Sequence, residues 1–494
     1  MERSGLQFER DYSSPVISRW WILVLAFVFI YGFSVLITVT TKAYSDKPPV
    51  PEVVKDMAGN VMFTGDDIRQ GQSVFLRYGL HDNGSIWGHG AYLGPDFSSD
   101  YLHQVAVATR EMNPWLSMSE LNAKAKTNHY DASTGVLVMD EAQASVFADA
   151  PAYWRKYFST PVNNGGLPYN LIDDDAELHK LCAFFAWSAW ACVANRPGED
   201  YSYTNNFPYE PTIDQGPADA LTVWSVASLL FLLIGIGACL LFVGRDKEAD
   251  WKASVPPYPM MSADGNQPAS VRGLLKFVVV VGLLLLGQTL VGGAVAHYRA
   301  DPGSFYGLDL SSVFPSQLVR TWHIQLAILW VATGFVLGGL IISRIFGGKE
   351  WKGLAMMTYF LFGAFGFVIF GSLLAEWAGL AGWWGNGSGS FWLGSQGWEY
   401  VEMGRAFQLI MIVGFLVWAY VLIRNTMPAL KVPGKRFLAW VFLAFAICVP
   451  VFYIPAIFFD DMTNYTVVDT WRFWMIHLWV EGFFEVFATV IIAY

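Results

Sequence analysis

The C-terminal end of the sequence contains the stretch WMIHLWVEGFFE, residues 474–485, which is apolar except for one histidine and two glutamates. His477, Glu481 and Glu485 follow one another at intervals of four residues, so an α-helix would place them on one face. Ionisable side chains inside a membrane helix cost a few kcal/mol each and rarely occur there without a partner. An imidazole and a carboxylate at this spacing can bind one metal ion, and the mixed N/O pair suits iron or zinc.

The composition predicts a polytopic membrane protein. The chain of 494 residues is 54% hydrophobic, has a mean hydropathy of +0.37 and contains 22 Trp and 37 Phe, which is more apolar mass than a soluble domain carries. A formal net charge of −10 and the lack of a lysine/arginine-rich tract argue against binding to nucleic acid. No C-x-x-C-H motif occurs, so no covalent c-type haem is encoded.

The four cysteines fall into two pairs. Cys239 and Cys448 lie in apolar segments, where they are expected to pack as small hydrophobic residues. Cys182 and Cys192 lie outside those segments, and an oxidising compartment would allow them to form a disulfide.

Eight apolar segments are long enough to cross roughly 30 Å of hydrocarbon. They are Ile17–Thr41, Leu221–Val243, Leu274–Ala296, Leu318–Ser343, Leu354–Leu380, Ala406–Ile423, Phe437–Phe459 and Val468–Tyr494.

These segments divide the chain into three parts. Residues 1–41 are a tail and an uncleaved anchor, because the apolar run is too long for a signal peptide and no convincing cleavage site follows it. The mixed stretch 42–220 is long enough for one small extramembrane domain. Residues 221–494 form a helical membrane core. The chain stops inside an apolar helix, which predicts that it is a fragment of a longer protein.

Lysine and arginine predict the orientation in the membrane. The N-terminal tail and alternate loops are rich in them, whereas the other short loops contain few, so the N-terminus is expected in the cytoplasm and the domain outside. The inner set is Arg3, Arg10, Arg19, Arg245, Lys247, Lys252, Arg272, Arg344, Lys349, Lys352, Arg424, Lys431, Lys435 and Arg436.

Two further intramembrane histidines are candidate sites. His323 opens an apolar helix near its outer end, and either ligation of a haem or simple packing against a backbone carbonyl accounts for it. His297 lies where a helix leaves the membrane, with Asp301 and Phe305 at intervals of four residues. These three could bind and deprotonate a quinol head group, although an ordinary polar helix end explains them better from the residues alone.

The remaining candidates lie outside the membrane. In the outer stretch 394–405, Glu399 and Glu402 could bind a cation or meet a haem propionate, and Arg405 could pair with a propionate; an acidic helix start favoured by the helix dipole is the alternative. Glycine-rich turns at residues 71–75 and 87–96 are explained equally well by a bulky ligand or by turn structure. Four histidines show no ligand spacing and are expected to be exposed or satisfied: His81, His103, His129 and His179.

Taken together, these residues resemble the quinol-dependent nitric oxide reductases, a branch of the haem–copper oxidase superfamily. The resemblance extends over almost the whole chain, from Gly71 to Tyr494. It is based on the segments Gly88–Asp96, Tyr203–Asn206, Ala296–Tyr298, Gln396–Tyr400 and His477–Gly482.

The resemblance implies a mainly α fold, in which a periplasmic cytochrome-c-like domain without haem follows an N-terminal anchor and precedes a haem–copper oxidase-like helical core. It implies two haems b, one low-spin and one high-spin, with His323 as an axial ligand of the low-spin haem. His477 and Glu481 correspond to ligands of a non-haem iron, and calcium is a further candidate cofactor.

The resemblance also assigns the reactants. Glu485 corresponds to a carboxylate tied to proton delivery, and His297, Asp301 and Phe305 correspond to the quinol pocket. The family commonly has Glu where this chain has Asp301, which puts the geometry of that pocket in doubt. Oxygen-reducing relatives have a tyrosine at the position of Glu481; a carboxylate suits iron, which favours nitric oxide as the substrate.

The implied protein is a multi-pass enzyme of the bacterial inner membrane that reduces nitric oxide with quinol, needs no cytochrome c and has a homodimer as a candidate assembly. Several ligands are expected beyond Tyr494, so these residues alone are expected to be inactive. A nitric oxide dismutase-like or terminal oxidase relative is one alternative. A membrane sensor or transporter without haem is another, from a different class.

Overall fold

The computed structural model describes residues 19–205, 209–216, 219–245, 268–347, 350–385 and 388–493. Some residues named above lie outside the described residues: Arg3, Arg10, Asn206, Lys247, Lys252, Lys349 and Tyr494.

The membrane part confirms the predicted helical bundle. Within the described ranges, eight helices are long and apolar enough to cross a membrane, and each overlaps one predicted segment. They are formed by α1 (Arg19–Ser45), α8 (Asp219–Arg245), α9 (Ala269–Ala300), α10 (Ser316–Gly347), α11 (Leu354–Leu380), α13 (Arg405–Thr426), α14 (Pro433–Tyr453) and the last segment, which is α15 (Tyr465–Phe473), a π-helix (Trp474–Phe484) and α16 (Glu485–Ala493).

The π-helix differs from the expected α-helix. Its backbone hydrogen bonds join residues five apart instead of four, a winding that is rare and occurs mostly at functional sites. Met475 and Trp479 face the bundle and are buried, whereas His477 and Glu481 are on the other side and exposed. The residues predicted to bind metal therefore lie on an unusually wound segment.

The domain between α1 and α8, called the outer domain after its predicted position, is mainly helical. Its helices are α2 (Gly65–Arg77), α3 (Phe97–Met112), α4 (Met118–Lys126), α5 (Glu141–Tyr157), α6 (Pro161–Asn164) and α7 (Asp175–Val193); a short helix α12 (Gly389–Leu393) lies between α11 and α13. The strands are β1 (Val53–Lys55), β2 (Val61–Thr64), β3 (Ser85–Ile86), β4 (His89–Gly90), β5 (Tyr130–Asp131) and β6 (Val136–Val138). A small sheet has the strand order β2-β1-β6-β5, and β3 and β4 form a hairpin.

Local sequence signals explain these helices. Three of them, α2, α4 and α5, begin with reciprocal capping boxes, in which Thr64, Ser117 and Asp140 occupy the cap. The core of the domain is formed by α7, whose apolar side chains are buried all round, as expected for a central helix. Helix α2 packs closely on α7 because Gly71 has no side chain: a Cβ there would lie 2.0 Å from the Lys180 carbonyl oxygen.

The disulfide considered for Cys182 and Cys192 is wrong. Both cysteines are free and buried, about three turns apart on the single helix α7. Residues at that separation on one helix cannot meet, so they pack as apolar side chains.

The outer domain sits directly on the outer ends of α10 and α15. His81 of the domain is fully buried there, and its Nε2 lies 2.8 Å from the Tyr465 hydroxyl of α15. Its Nδ1 accepts a hydrogen bond from the Glu399 backbone N–H at 3.0 Å. The prediction that this histidine is satisfied is therefore confirmed, and it marks the junction of the domain and the membrane core.

Candidate functional site

His477 and Glu481 form a close pair. Nδ1 of the imidazole and Oε2 of the carboxylate are 2.8 Å apart, and the two side chains are 54% and 52% exposed. The ring of Phe473 stacks on the imidazole with ring centroids 5.2 Å apart, which holds its orientation. Glu485 is exposed, and its carboxylate makes no hydrogen bond or ion pair within the described ranges. Only two of the three predicted residues therefore meet.

The pair fits iron in chemistry but supplies only part of a ligand set. Imidazole nitrogen and carboxylate oxygen are donors that iron accepts. Among the described residues, however, no three His, Cys, Asp or Glu side chains come together as a metal site would require. Binding of non-haem iron by these two residues stays a prediction.

A partly open cavity of about 290 Å³ lies beside the pair. Its polar walls include Glu402, Gln325 and Gln408, and Glu481 stands at its edge. The side-chain oxygens of both glutamines are buried without a hydrogen-bond partner, which is unusual for buried polar atoms in a protein interior. The other lining residues are Ile328, Leu329, Tyr400, Val401, Met403, Met411, Tyr453, Met475, Ile476, Trp479 and Val480.

His323 is held in a way that suits a ligand. Its Nδ1 lies 2.9 Å from the Gln288 carbonyl oxygen of α9. The ring lies close against Gly292, where a Cβ would be 2.6 Å from Cε1. A backbone carbonyl that accepts from one ring nitrogen is the usual way to orient a metal-binding histidine, and it leaves Nε2 for the metal. The same contact also satisfies a packing histidine, so both interpretations of the sequence agree with it.

The three residues of the predicted quinol site are brought together at the outer end of α9. The rings of His297 and Phe305 have centroids 4.7 Å apart, and His297 Nε2 lies 3.0 Å from the Ser304 carbonyl oxygen. Asp301 ends the helix, and its Oδ2 accepts a hydrogen bond from the Ser304 hydroxyl at 2.8 Å. The imidazole, the carboxylate and the aromatic ring thus line one loop at the membrane edge.

Arg405 is engaged by protein groups. Its guanidinium donates to the carbonyl oxygens of Ala456, at 2.9 Å, and Phe459, and to Gln396 Oε1 at 3.2 Å. It also lies over the ring of Phe391. A pairing with a haem propionate would have to use its remaining donors, so the role suggested by the resemblance stays a prediction.

The sequence interpretation missed an ionic network around Glu399. This carboxylate accepts hydrogen bonds from Arg320 of α10 at 2.6 Å and from Arg472 of α15 at 3.2 Å. Arg472 also pairs with Asp469, which contacts His89 of the outer domain at 2.6 Å. Two arginines thus bind Glu399, which joins α10 and α15, and its binding of a cation stays a prediction. No local spacing could reveal pairs that join distant segments.

Two buried carboxyls were also missed. Asp82 accepts a hydrogen bond from the Thr321 hydroxyl at 3.0 Å, and burial, helped by the charge of Glu399, raises its pKa to about 8. Burial likewise raises the pKa of Glu402 well above its usual range. Glu376 is fully buried on α11. The sequence does contain a signal for Glu376, because a single glutamate in the apolar segment Leu354–Leu380 indicates a candidate functional residue.

Comparisons with known protein families agree with this architecture. Residues 51–209 match the family model of the cytochrome c-like domain of the nitric oxide reductase NorB, and residues 272–494 match "Cytochrome C and Quinol oxidase polypeptide I". The second match defines a haem–copper oxidase core, and the first specifies the branch. Together, the two matches support a NorB-type nitric oxide reductase of the haem–copper oxidase superfamily. The family is that of membrane oxidoreductases with haem.

Proposed function

We propose that the protein reduces nitric oxide to nitrous oxide with electrons from quinol: 2 NO + 2 H⁺ + 2 e⁻ → N2O + H2O. The observation that carries the proposal is the contact of His477 with Glu481 at 2.8 Å beside a cavity that Glu481 lines. Oxygen-reducing relatives carry a tyrosine at the position that corresponds to Glu481. A carboxylate there favours iron over copper.

The chain's residues would hold the redox groups as follows. His323 would ligate a low-spin haem b through Nε2, and His477 and Glu481 would contribute two ligands to a non-haem iron that acts together with a high-spin haem b. When bound, these groups would transfer the two electrons from quinol and provide a place for two nitric oxide molecules to come together. Glu402 lines the same cavity as Glu481 and can hold a proton there.

The loop at the end of α9 supports quinol as the electron donor. Nε2 of His297 lies 3.0 Å from the Ser304 carbonyl oxygen and 3.4 Å from the Tyr306 backbone nitrogen. Nδ1 makes no hydrogen bond within the described ranges, so it is available to a quinol hydroxyl. Asp301 is exposed and keeps one carboxylate oxygen free of hydrogen bonds within the described ranges. Since quinol oxidation releases two protons, an imidazole and a carboxylate beside an aromatic ring are suited to it.

We further propose that the protein lies in the bacterial inner membrane, with the outer domain in the periplasm. Arginines at the opposite ends of the spans support this orientation, because positive charge is enriched in cytoplasmic loops. The described ones are Arg19, Arg245, Arg272, Arg344, Arg424 and Arg436.

The metal assignment is tested by His477→Ala and Glu481→Ala in the full-length, membrane-inserted protein. Each variant should lose the non-haem iron, and its rate of nitric oxide reduction should fall by about 100-fold or more, because each substitution removes a direct ligand. His129→Ala, an exposed histidine of the outer domain, should keep both. Full iron content and full activity in either site variant would contradict the assignment.

The reaction class is tested on the unmodified enzyme. Quinol and nitric oxide should yield nitrous oxide without oxygen. Oxygen release would favour a dismutase, and a haem-free protein would favour a sensor or transporter.

A further inference from the structure

A buried acidic site lies where α10, α11 and the outer domain meet. Asp82 accepts a hydrogen bond from the Thr321 hydroxyl of α10. Gln325 lies one helical turn further along α10, and its Nε2 donates to the Ser372 hydroxyl of α11 at 2.6 Å. Glu376 lies one turn beyond Ser372 on the same face of α11. The two helices therefore bring the carboxyl of Glu376 next to Gln325 and close to Asp82.

Hydrogen bonds in this site are incomplete. Both carboxyl oxygens of Glu376, Oδ1 of Asp82 and Oε1 of Gln325 are buried without a partner of ordinary geometry. Glu376 and Asp82 are fully buried, and Gln325 is 4% exposed. Buried polar atoms are normally satisfied by protein or by ordered water. These four acceptor oxygens lie close together and lack hydrogen-bond donors. A protonated carboxyl group and buried water molecules can supply the donors.

The local charges rule out full ionisation. The carboxyl of Asp82 contributes to the electrostatic environment of Glu376, and Glu376 contributes to that of Glu402. No cation among the described residues contributes to the electrostatic environment of Glu376. The positive charge of Arg320 acts to lower the pKa of Asp82, but the guanidinium of Arg320 is hydrogen-bonded to Glu399. Three carboxyls in a low-dielectric site with so little positive charge cannot all be ionised.

The site is connected to the cavity beside the candidate metal pair. Gln325 and Glu402 belong to both, and the cavity extends from them to Glu481. A proton held at Glu376 therefore has polar groups in two directions, towards Asp82 at the outer domain and towards Glu481 in the membrane.

We propose that Glu376 is a neutral carboxylic acid that, with Asp82 and buried water, forms a proton-holding site between the outer domain and the cavity. Its hydroxyl donates to Gln325 Oε1 or Asp82 Oδ1. The ligand of the site is the proton, exchanged through water. Its use as a proton source for catalysis rests on the proposed nitric oxide reduction, whereas its neutral state does not.

Infrared spectroscopy of the full-length protein in lipid nanodiscs tests the neutral state. At neutral pH, the C=O stretching band of protonated carboxyls should lose intensity in Glu376→Gln by about one group and shift on deuteration in the wild type. Glu199→Gln, at an exposed position of the outer domain, should leave this band unchanged. An identical protonated-carboxyl band in wild type and Glu376→Gln would overturn the proposal, because Glu376 would then be ionised.

Two further measurements distinguish an effect of Glu376 on protein stability from a role in catalytic proton uptake. Since glutamine mimics a neutral acid, Glu376→Gln should insert and unfold at the wild-type temperature; a large loss of stability would indicate an ion pair and overturn the proposal. Proton uptake linked to nitric oxide reduction should slow about tenfold in Glu376→Gln and recover in Glu376→Asp. Unchanged uptake would remove the catalytic role, and failure of the wild type to reduce nitric oxide would count against the proposed function alone.

Discussion

Single residues in this protein set the position of candidate ligands through contacts that are distant in the sequence. His323 is the clearest case, since its ring is oriented by Gln288 and has space only because residue 292 is a glycine. The sequence identified His323 as a candidate. It did not identify Gln288 or Gly292, because which residues face each other across two helices depends on how the helices pack.

Gly292→Ala should displace the His323 ring, because the new Cβ would lie 2.6 Å from it. We expect loss of the low-spin haem b absorption bands in the full-length protein, with destabilisation of roughly 1–3 kcal/mol from overpacking. Gly293→Ala is the matched control. A Cβ there meets nothing within 4 Å, so the helix should gain up to about 1 kcal/mol and keep its spectrum. Equal spectra for the two variants would show that the ring is not packed there.

Asp82→Asn should change the pH dependence of stability. Because burial raises the pKa of Asp82 to about 8, the folded protein binds a proton that the unfolded chain releases above about pH 4. The free energy of unfolding contributed by this group therefore falls as the pH rises from about 4 to 8. The variant should show a flatter profile of thermal unfolding over that range. Asp173→Asn, at an exposed site, should keep the wild-type slope, and an unchanged slope in Asp82→Asn would contradict the expectation.

At the scale of elements, the Glu399 network ties two membrane helices to the loop before α13. Arg320 lies one turn before His323 on α10, and Arg472 lies five residues before His477 on the last span. Both arginines meet on Glu399. The helices that carry the candidate haem and metal residues therefore share one outer anchor.

Glu399→Gln should loosen that anchor. Removing the charge leaves Arg320 without its carboxylate partner and leaves Arg472 paired with Asp469 alone. Breaking a buried ion pair in this way typically costs about 3–5 kcal/mol. We expect a lower unfolding temperature and faster proteolysis at the junction with the outer domain. Glu111→Gln, exposed on α3, provides the control. A wild-type melting temperature in Glu399→Gln would show that the network does not stabilise the junction.

For the whole molecule, the sequence was sufficient to predict the eight spans and the outer domain, because apolar length and loop composition are local properties. The pairing of His477 with Glu481 followed from their spacing, and the convergence of His297, Asp301 and Phe305 followed from their position at one helix end. The π-helix, the Glu399 network and the Asp82–Glu376 site did not follow. Each depends on tertiary contacts between segments that are far apart in the chain.

The orientation of the molecule is testable with a membrane-impermeant maleimide on intact cells. Ser133→Cys, at an exposed turn of the outer domain, should be labelled, whereas Lys431→Cys, in the loop between α13 and α14, should be labelled only after the membrane is opened. The native cysteines are buried or within spans, so they should give little background. The reverse pattern would invert the proposed topology.

The π-helix limits which insertions and deletions the last span can accept during evolution. A backbone wound this way has more residues per turn than its neighbours, so losing one residue would let it relax into an ordinary helix. The angular positions of the His477 imidazole and the Glu481 carboxylate relative to each other would then change. We therefore expect insertions and deletions to be far less tolerated between Trp474 and Phe484 than in the flanking α15 and α16, even where each individual residue is replaceable.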